Sequence, residues 1–146
     1  MRIERAVEVG AVLAAAELFD HAPRADATTH FLARDGHHLL LAYDDGGGGV
    51  PIGMVSGVET THPDKGTEMF LYELSVAEPA RRRGVGTALV RALADLARAR
   101  GCYGMWVAVD VDNEPARATY RRARASEEAP CAVFSWDLTA PSGMTG

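Results

Sequence analysis

Lysine is almost absent from this 146-residue chain: of its 15 basic side chains only Lys65 is a lysine, and arginine carries the rest. Alanine is abundant as well, so a GC-rich coding sequence accounts for the bias without a functional reason. Cysteine is equally sparse. Cys102 and Cys131 lie too far apart for a C-x-x-C motif and are too few for a disulfide framework, so free thiols in a reducing, cytoplasmic compartment are expected. No segment approaches the roughly 20 uncharged apolar residues that span a bilayer, because the apolar stretch from Gly10 to Phe19 contains Glu17 and follows Glu8. Neither a membrane span nor a secretory signal is therefore expected. The histidines His21, His30, His37, His38 and His62 show no metal-ligand spacing, so no metal is expected either.

What remains is a composition 47% apolar and 24% charged, with 15 basic residues against 20 acidic ones, a net charge of −5. An acidic balance disfavours non-specific nucleic-acid binding and suits a cationic partner. A chain of this length buries roughly 70% of the surface it exposes unfolded, which is enough for one domain without staples. That domain is expected over residues 1–138, with a flexible tail over 139–146.

Periodicity orders the elements. Val9, Val12, Leu13, Ala16 and Leu18 to Phe19 recur at helical spacing, and a second short helix is expected over Thr28 to Arg34. Leu39 to Tyr43 and Val50 to Val58 read as strands joined by the tip Asp44-Asp45-Gly46-Gly47-Gly48-Gly49, and Thr60 to Gly66 as a polar loop. Met69 to Val76 is an apolar strand. Val85, Ala88, Leu89, Ala92, Leu93, Leu96 and Ala97 then form one stripe of a helix that stops at Gly101. Tyr103 to Val109 reads as a strand, Asn113 caps a helix with Glu114 and Pro115 in its first turn and its end near Arg124, and Cys131 to Leu138 reads as a final strand. The expected class is α/β with a mixed sheet.

The segment Arg81-Arg82-Arg83-Gly84-Val85-Gly86-Thr87 sits between a strand and a helix N-terminus. Glycines let a ligand approach the backbone, and unpaired first-turn N–H groups with the helix dipole attract an anion. Three arginines add positive charge at the same end, so a diphosphate is the natural guest. With no lysine after it and no third glycine, the segment fits neither the Walker loop nor the dinucleotide fingerprint. A solvated helix start or a non-catalytic phosphate-binding module would use the same residues.

The pattern Arg81-x-x-Gly84-x-Gly86 after Leu74-Ser75-Val76, followed by Asn113-x-x-Ala116-x-x-x-Tyr120, resembles the GCN5-related N-acetyltransferases (GNAT). Within them, Phe70 to Val76, Arg82-Arg83-Gly84, Asp110, and Pro115-Ala116 before Tyr120 look most like the aminoglycoside 3-N-acetyltransferases. The resemblance implies a mostly antiparallel sheet with helices on both faces. It also implies acetyl-CoA in a cleft where the strands ending at Val76 and Val109 splay apart. Leu74, Ser75 and Val76 would pair with the pantetheine arm, the N–H groups from Arg82 to Thr87 would hold the pyrophosphate, and Asn113 and Ala116 would flank the arm. A homodimer is a further expectation. The family has glycine at a left-handed helix end where this chain has Arg124.

Acetyl transfer to an amine requires a neutral nucleophile, a polarised carbonyl and an acid for the departing thiolate. Glu73 is the candidate base, directly or through water; a structural ion pair is the alternative. Strict alternation puts it with Leu71 and Ser75, opposite Tyr72, Leu74 and Val76. Tyr120 is the candidate acid, or a tyrosine packed on the sheet. Asp110 and Asp112, with Glu114, are either loop and cap chemistry or, with Glu73, carboxylates for an acceptor's ammonium groups. Arg117, Arg121, Arg122 and Arg124 read as surface, with one able to meet the 3′-phosphate. The acceptor is thus a small cationic amine, an aminoglycoside first, with a polyamine, another metabolite amine or a protein N-terminus as alternatives.

Overall fold

The computed structural model describes residues 1–46, 49–128 and 130–139. Its sheet has five strands in the order β1-β2-β3-β4-β5, with β1 at Arg2–Arg5, β2 at His37–Tyr43, β3 at Gly53–His62, β4 at Gly66–Val76 and β5 at Met105–Trp106. Neighbours are antiparallel except for β4 and β5, which run parallel. Helices α1 (Val9–Leu13), α2 (Ala25–Ala33), α3 (Val85–Ala99) and α4 (Glu114–Arg122) complete the domain. This is the expected mixed, mostly antiparallel α/β architecture. No helix is long and apolar enough to cross a membrane among the described residues, and no group of His, Cys, Asp or Glu there is arranged to hold a metal.

The α3 stripe read from the sequence is what seats that helix. Val85, Leu89, Val90, Leu93 and Ala97 are buried against Leu40, Ala42, Val55, Met69 and Leu71 of the sheet, at about 1.5–3 kcal/mol for each large aliphatic side chain buried. A glycine sets how close the helix comes. A Cβ on Gly57 would lie 2.8 Å from the Met69 sulfur and 2.9 Å from Leu93 Cδ1. The opposite sheet face buries Leu39, Leu41, Tyr43 and Met54 under Val12, Ala15 and Leu18.

Several expected boundaries move, each for a packing reason. A continuous helix from Val9 to Phe19 would put Val12 and Leu18 about 120° apart at about 100° per residue, so both could not point straight into the sheet. Instead α1 ends at Leu13, and a 3-10 turn at Ala16–Leu18 swings Leu18 into the core. The expected loop from Thr60 to Gly66 is mostly strand. Thr60 and Thr61 pair with Glu68 and Thr67, the Thr61 and Thr67 hydroxyls are 2.8 Å apart, and the turn closes at Gly66 with φ 96°. β1 was not anticipated, because its charged alternation Arg2-Ile3-Glu4-Arg5 belongs to an edge strand that pairs only with β2. The expected strand from Tyr103 to Val109 pairs only at Met105 and Trp106.

The expected final strand is not formed. Among the described residues, 131–138 belong to no ladder, and Val133, Phe134, Trp136 and Leu138 stand exposed. Their alternation is strand-like, but a strand needs a hydrogen-bonding neighbour, and none of the described residues lies beside them as one. Of the expected tail, residues 140–146 lie outside the described residues.

Candidate active site

β4 carries a bulge that corrects the face assignment. Ser56 of β3 pairs with Glu73 and the next residue, Gly57, pairs with Leu71, so Tyr72 is the extra residue. Leu71 therefore joins Leu74 and Val76 on the α3 face, whereas strict alternation had set it opposite them. The irregular backbone is satisfied from the side: the Glu73 N–H donates to the hydroxyl of buried Ser56 at 3.1 Å. Sequence alternation had no means of finding Ser56 in this role.

On the far side of the bulge, Tyr72 and Glu73 line a surface cleft of about 600 Å³ with Phe19, Asp20 and His21. Glu73 is half-buried there and has no ion-pair partner among the described residues, so the structural ion pair open to it in the sequence is not made. Burial first, and then the charge of Asp20, push its carboxyl above the ordinary carboxylate pKa. A carboxylate of raised pKa is a stronger proton acceptor. Asp20 and His21 had no role in the sequence reading. They lie beyond the first helical stretch, and only the break that ends α1 brings them to the cleft.

Beyond Phe70 and Trp106 the ladder between β4 and β5 stops. Leu74, Ser75 and Val76 stay paired to β3 while, among the described residues, no strand pairs with their other edge. The chain then passes through the 3-10 turn Glu78–Ala80 into the arginine-glycine loop. Arg81 turns back to donate its Nε–H to the Val76 carbonyl at 3.1 Å, and Arg83 forms a two-pronged pair with Asp44 at 3.2 and 2.5 Å. Arg82 adopts φ 64° and has no ion-pair partner among the described residues. The three arginines are thus not equivalent: two are tied to the scaffold.

Gly84, at φ 79°, is the N-cap of α3. The first bond into the helix runs from Ala88 N–H to the Gly84 carbonyl, and no side chain caps the turn, so the N–H groups of Val85, Gly86 and Thr87 have no acceptor among the described residues. Val85 buries its side chain, leaving only its N–H for the site. At Gly84 a Cβ would meet nothing within 4 Å, whereas at Gly86 it would lie 3.4 Å from Thr119 Cγ2, 3.7 Å from Val76 Cγ2 and 3.9 Å from Leu74 Cδ2. An open, left-handed glycine beside a row of free N–H groups fits the diphosphate of a coenzyme, and bare Gly86 keeps the wall between β4 and α4 thin. The residues present suit acetyl-CoA.

Asn113 caps α4 by accepting the Ala116 N–H at 3.2 Å. Tyr120 packs on the core shared with Leu74, Val76 and Leu89. Burial raises its pKa, and its hydroxyl makes no hydrogen bond among the described residues. Asp110 and Asp112 form the turn into α4, through Asn113 N–H to the Asp110 carbonyl and Glu114 N–H to the Asp112 carbonyl, and neither lines the Glu73 cleft. Arg117 and Arg121 are held by Glu114 and Glu127. Arg124 takes φ 70°, the left-handed helix end at which glycine is the usual residue.

A splayed strand pair, a bulge presenting a carboxylate and a glycine-arginine loop at a helix start together define an acyl-transfer fold that binds a phosphorylated thioester. The profile of the Acetyltransferase (GNAT) family matches residues 10–124, and the chain belongs to that family as an acetyl-CoA-dependent N-acetyltransferase. Similar solved structures include an aminoglycoside acetyltransferase from an uncultured soil metagenomic sample, in complex with sisomicin. It has 17% identity and a TM-score of 0.84, over 94% of this chain and 95% of that one. The aminoglycoside acetyltransferase AAC(6')-Iy, in complex with the bisubstrate analog CoA-S-monomethyl-acetylneamine, has 17% identity and a TM-score of 0.77, over 94% and 100%. The ribosomal-protein-alanine N-acetyltransferase of Brucella melitensis biovar Abortus 2308 has 20% identity and a TM-score of 0.73, over 93% and 100%. At these identities the likeness is one of fold. Among curated proteins none matches the sequence significantly.

Proposed function

We propose that the protein acetylates a primary amine of a small polycation, an aminoglycoside at its 3-amino group, and so would confer resistance to it. The observation that carries this reading is the pairing of Asp20 and Glu73 in one cleft with the exposed ring of Tyr72. Two carboxylates attract a molecule with several ammonium groups, and an aromatic ring offers an apolar face to a sugar. Asp110 and Asp112, exposed at the start of α4, extend the acidic surroundings for a larger acceptor.

Acetyl-CoA supplies an acetyl thioester. The N–H groups from Arg82 to Thr87 hold its pyrophosphate, the free edge of Leu74, Ser75 and Val76 pairs with its pantetheine arm, and Asn113 and Ala116 flank that arm. Asp20 holds one ammonium group of the acceptor while Glu73 takes a proton from the reacting amine, directly or through a water. The neutral nitrogen would then add to the acetyl carbonyl carbon, and as the amide bond forms and the carbon–sulfur bond breaks the nitrogen's second proton would pass to water, with the Tyr120 hydroxyl donating a hydrogen bond to the departing sulfur. An ordinary thiol titrates near about 8.5 and a tyrosine near about 10. Tyr120 therefore acts by stabilising the thiolate through its hydrogen bond, and solvent completes the protonation.

Thiol release from acetyl-CoA across aminoglycosides, polyamines and peptides tests the reading, with the acetylated position assigned by NMR. Turnover of aminoglycosides at the 3-amino group is expected. Acetylation at another position removes the regiochemistry, and turnover of polyamines or peptides alone removes the acceptor class.

A further inference from the structure

We propose that Ser56 is a positioning residue for the acetyl transfer: its hydroxyl decides which residue of β4 is the extra one, and with that where the Glu73 carboxylate stands in the cleft. The inference rests on Glu73 as the base of the proposed reaction.

The apolar side chains of β4 require a bulge but do not place it. Met69 and Leu71 pack on the α3 core, and so do Leu74 and Val76. Leu71 and Leu74 are three residues apart, a spacing that a regular strand sends to opposite faces. One residue between them must therefore be extra, and the two that intervene, Tyr72 and Glu73, both line the cleft. The core is indifferent to which of the two it is. The two placements differ in which residue stands opposite Ser56, and so in the direction from which the carboxylate enters the cleft.

Ser56 removes that choice. Its side chain shares with Met54 the sheet face opposite α3, because Val55 between them points into the α3 core. Glu73, its partner across the ladder, presents its side chain on that same face. Ser56 is 5% exposed, and its hydroxyl accepts the Glu73 N–H at 3.1 Å. Buried N–H groups are nearly always paired, so the placement in which this hydroxyl serves Glu73 is favoured over one that strips the N–H of it. Among the described residues the hydroxyl makes no other bond, so a substitution there removes this one contact.

Ser56 touches no reacting group, and its effect must pass through Glu73. Ser56→Ala should lower kcat by about 10- to 10²-fold, with little change in KM for acetyl-CoA, because Leu74 to Val76 stay paired to β3. The acidic limb of the kcat/KM profile should move to lower pH, since a carboxylate freed from its half-buried position regains solvent. In a Glu73→Gln background the same substitution should cost nothing further. Ser56→Thr keeps the hydroxyl and should retain kcat, whereas Ser56→Val, of the same shape without it, should not. Hydrogen exchange followed by NMR reads the bond directly: the Glu73 amide should be protected in the wild type and lose that protection in Ser56→Ala. A Glu73 amide that exchanges freely in the wild type overturns the proposal, even if the variants fail to fold. So does Ser56→Ala with wild-type kcat and pH profile, an equal loss in the Glu73→Gln background, or Ser56→Thr no better than Ser56→Val. An undiminished kcat in Glu73→Gln instead removes the base, and the positioning role with it.

Discussion

Asp20 and Glu73 line one cleft, and the negative charge of Asp20 adds to burial in raising the Glu73 pKa. In the proposed reaction, the carboxylate that binds the acceptor's charge would therefore also make its neighbour a better base. Asp20→Asn removes one of the two causes of the raised pKa, so the acidic limb of the kcat/KM profile should move to lower pH while KM for a polycationic acceptor rises. The KM effect should shrink with added salt. Glu73→Gln should instead lower kcat by about 10²-fold or more, the scale of general base catalysis. Full pH profiles of both variants separate these effects, and an unmoved limb in Asp20→Asn would detach that residue from the base.

Tyr120→Phe keeps the ring in the core beside Leu74 and Val76 and removes only the hydroxyl. Because that hydroxyl has no protein hydrogen bond to lose, stability should change by less than about 0.5 kcal/mol. Turnover should fall by about 10²-fold. Thermal unfolding with steady-state rates checks both halves, and an unchanged kcat would leave Tyr120 as packing.

Gly84→Val and Gly86→Val should both weaken coenzyme A binding, for different reasons. The first forces a β-branched residue to φ 79°, a cost of at least about 1 kcal/mol in stability as well as in affinity. The second pushes a side chain toward Thr119 and Val76, wedging β4 from α4. Arg98→Ala is the control, since Arg98 pairs with Asp95 on the exposed side of α3. Calorimetry giving one affinity for all three variants would dismiss the loop as the phosphate site.

Glu59 joins the far end of the sheet to the end of α3, meeting His38 at 2.6 Å and Arg100 at 2.7 Å. Burial opposes its ionisation, but the bonds to His38 and Arg100 outweigh burial and hold its pKa below the ordinary 4.5. A carboxyl with a lowered folded-state pKa stabilises the fold above the unfolded value, and that stability is lost as pH falls through the folded value. Glu59→Gln should cost about 1–3 kcal/mol at pH 7. Urea titrations of the two proteins should converge as the pH drops below about 4.

Where a residue's neighbours are set by its own element, the sequence made it legible. The α3 stripe, the Asn113 cap and Gly84 at the start of α3 all depend on local spacing, and all are found. The Glu73 cleft was half legible. Glu73 stood out as a carboxylate in an apolar strand, but the bulge at Tyr72 and the Ser56 hydroxyl that stabilises it depend on β3, 17 residues away in sequence. Asp20 needed a helix break dictated by the sheet beneath it. The strand expected at 131–138 failed for the converse reason, because alternation reports how side chains would sort themselves but not whether a neighbouring strand is there.

The bond between Arg83 and Asp44 makes anion capture at this loop an exchange of partners. Residues 39 apart in sequence meet there, and the carboxylate already occupies the guanidinium that a phosphate would seek. An arriving diphosphate must displace a tethered competitor, and a departing one is replaced by it. Added salt screens the resident pair along with the incoming one, so affinity for coenzyme A should decline with ionic strength less steeply than three unengaged arginines would make it. The hairpin bearing Asp44 is thereby coupled to the occupancy of the loop beside it, at the end of the sheet where Gly53 pairs with both Ala42 and Val76.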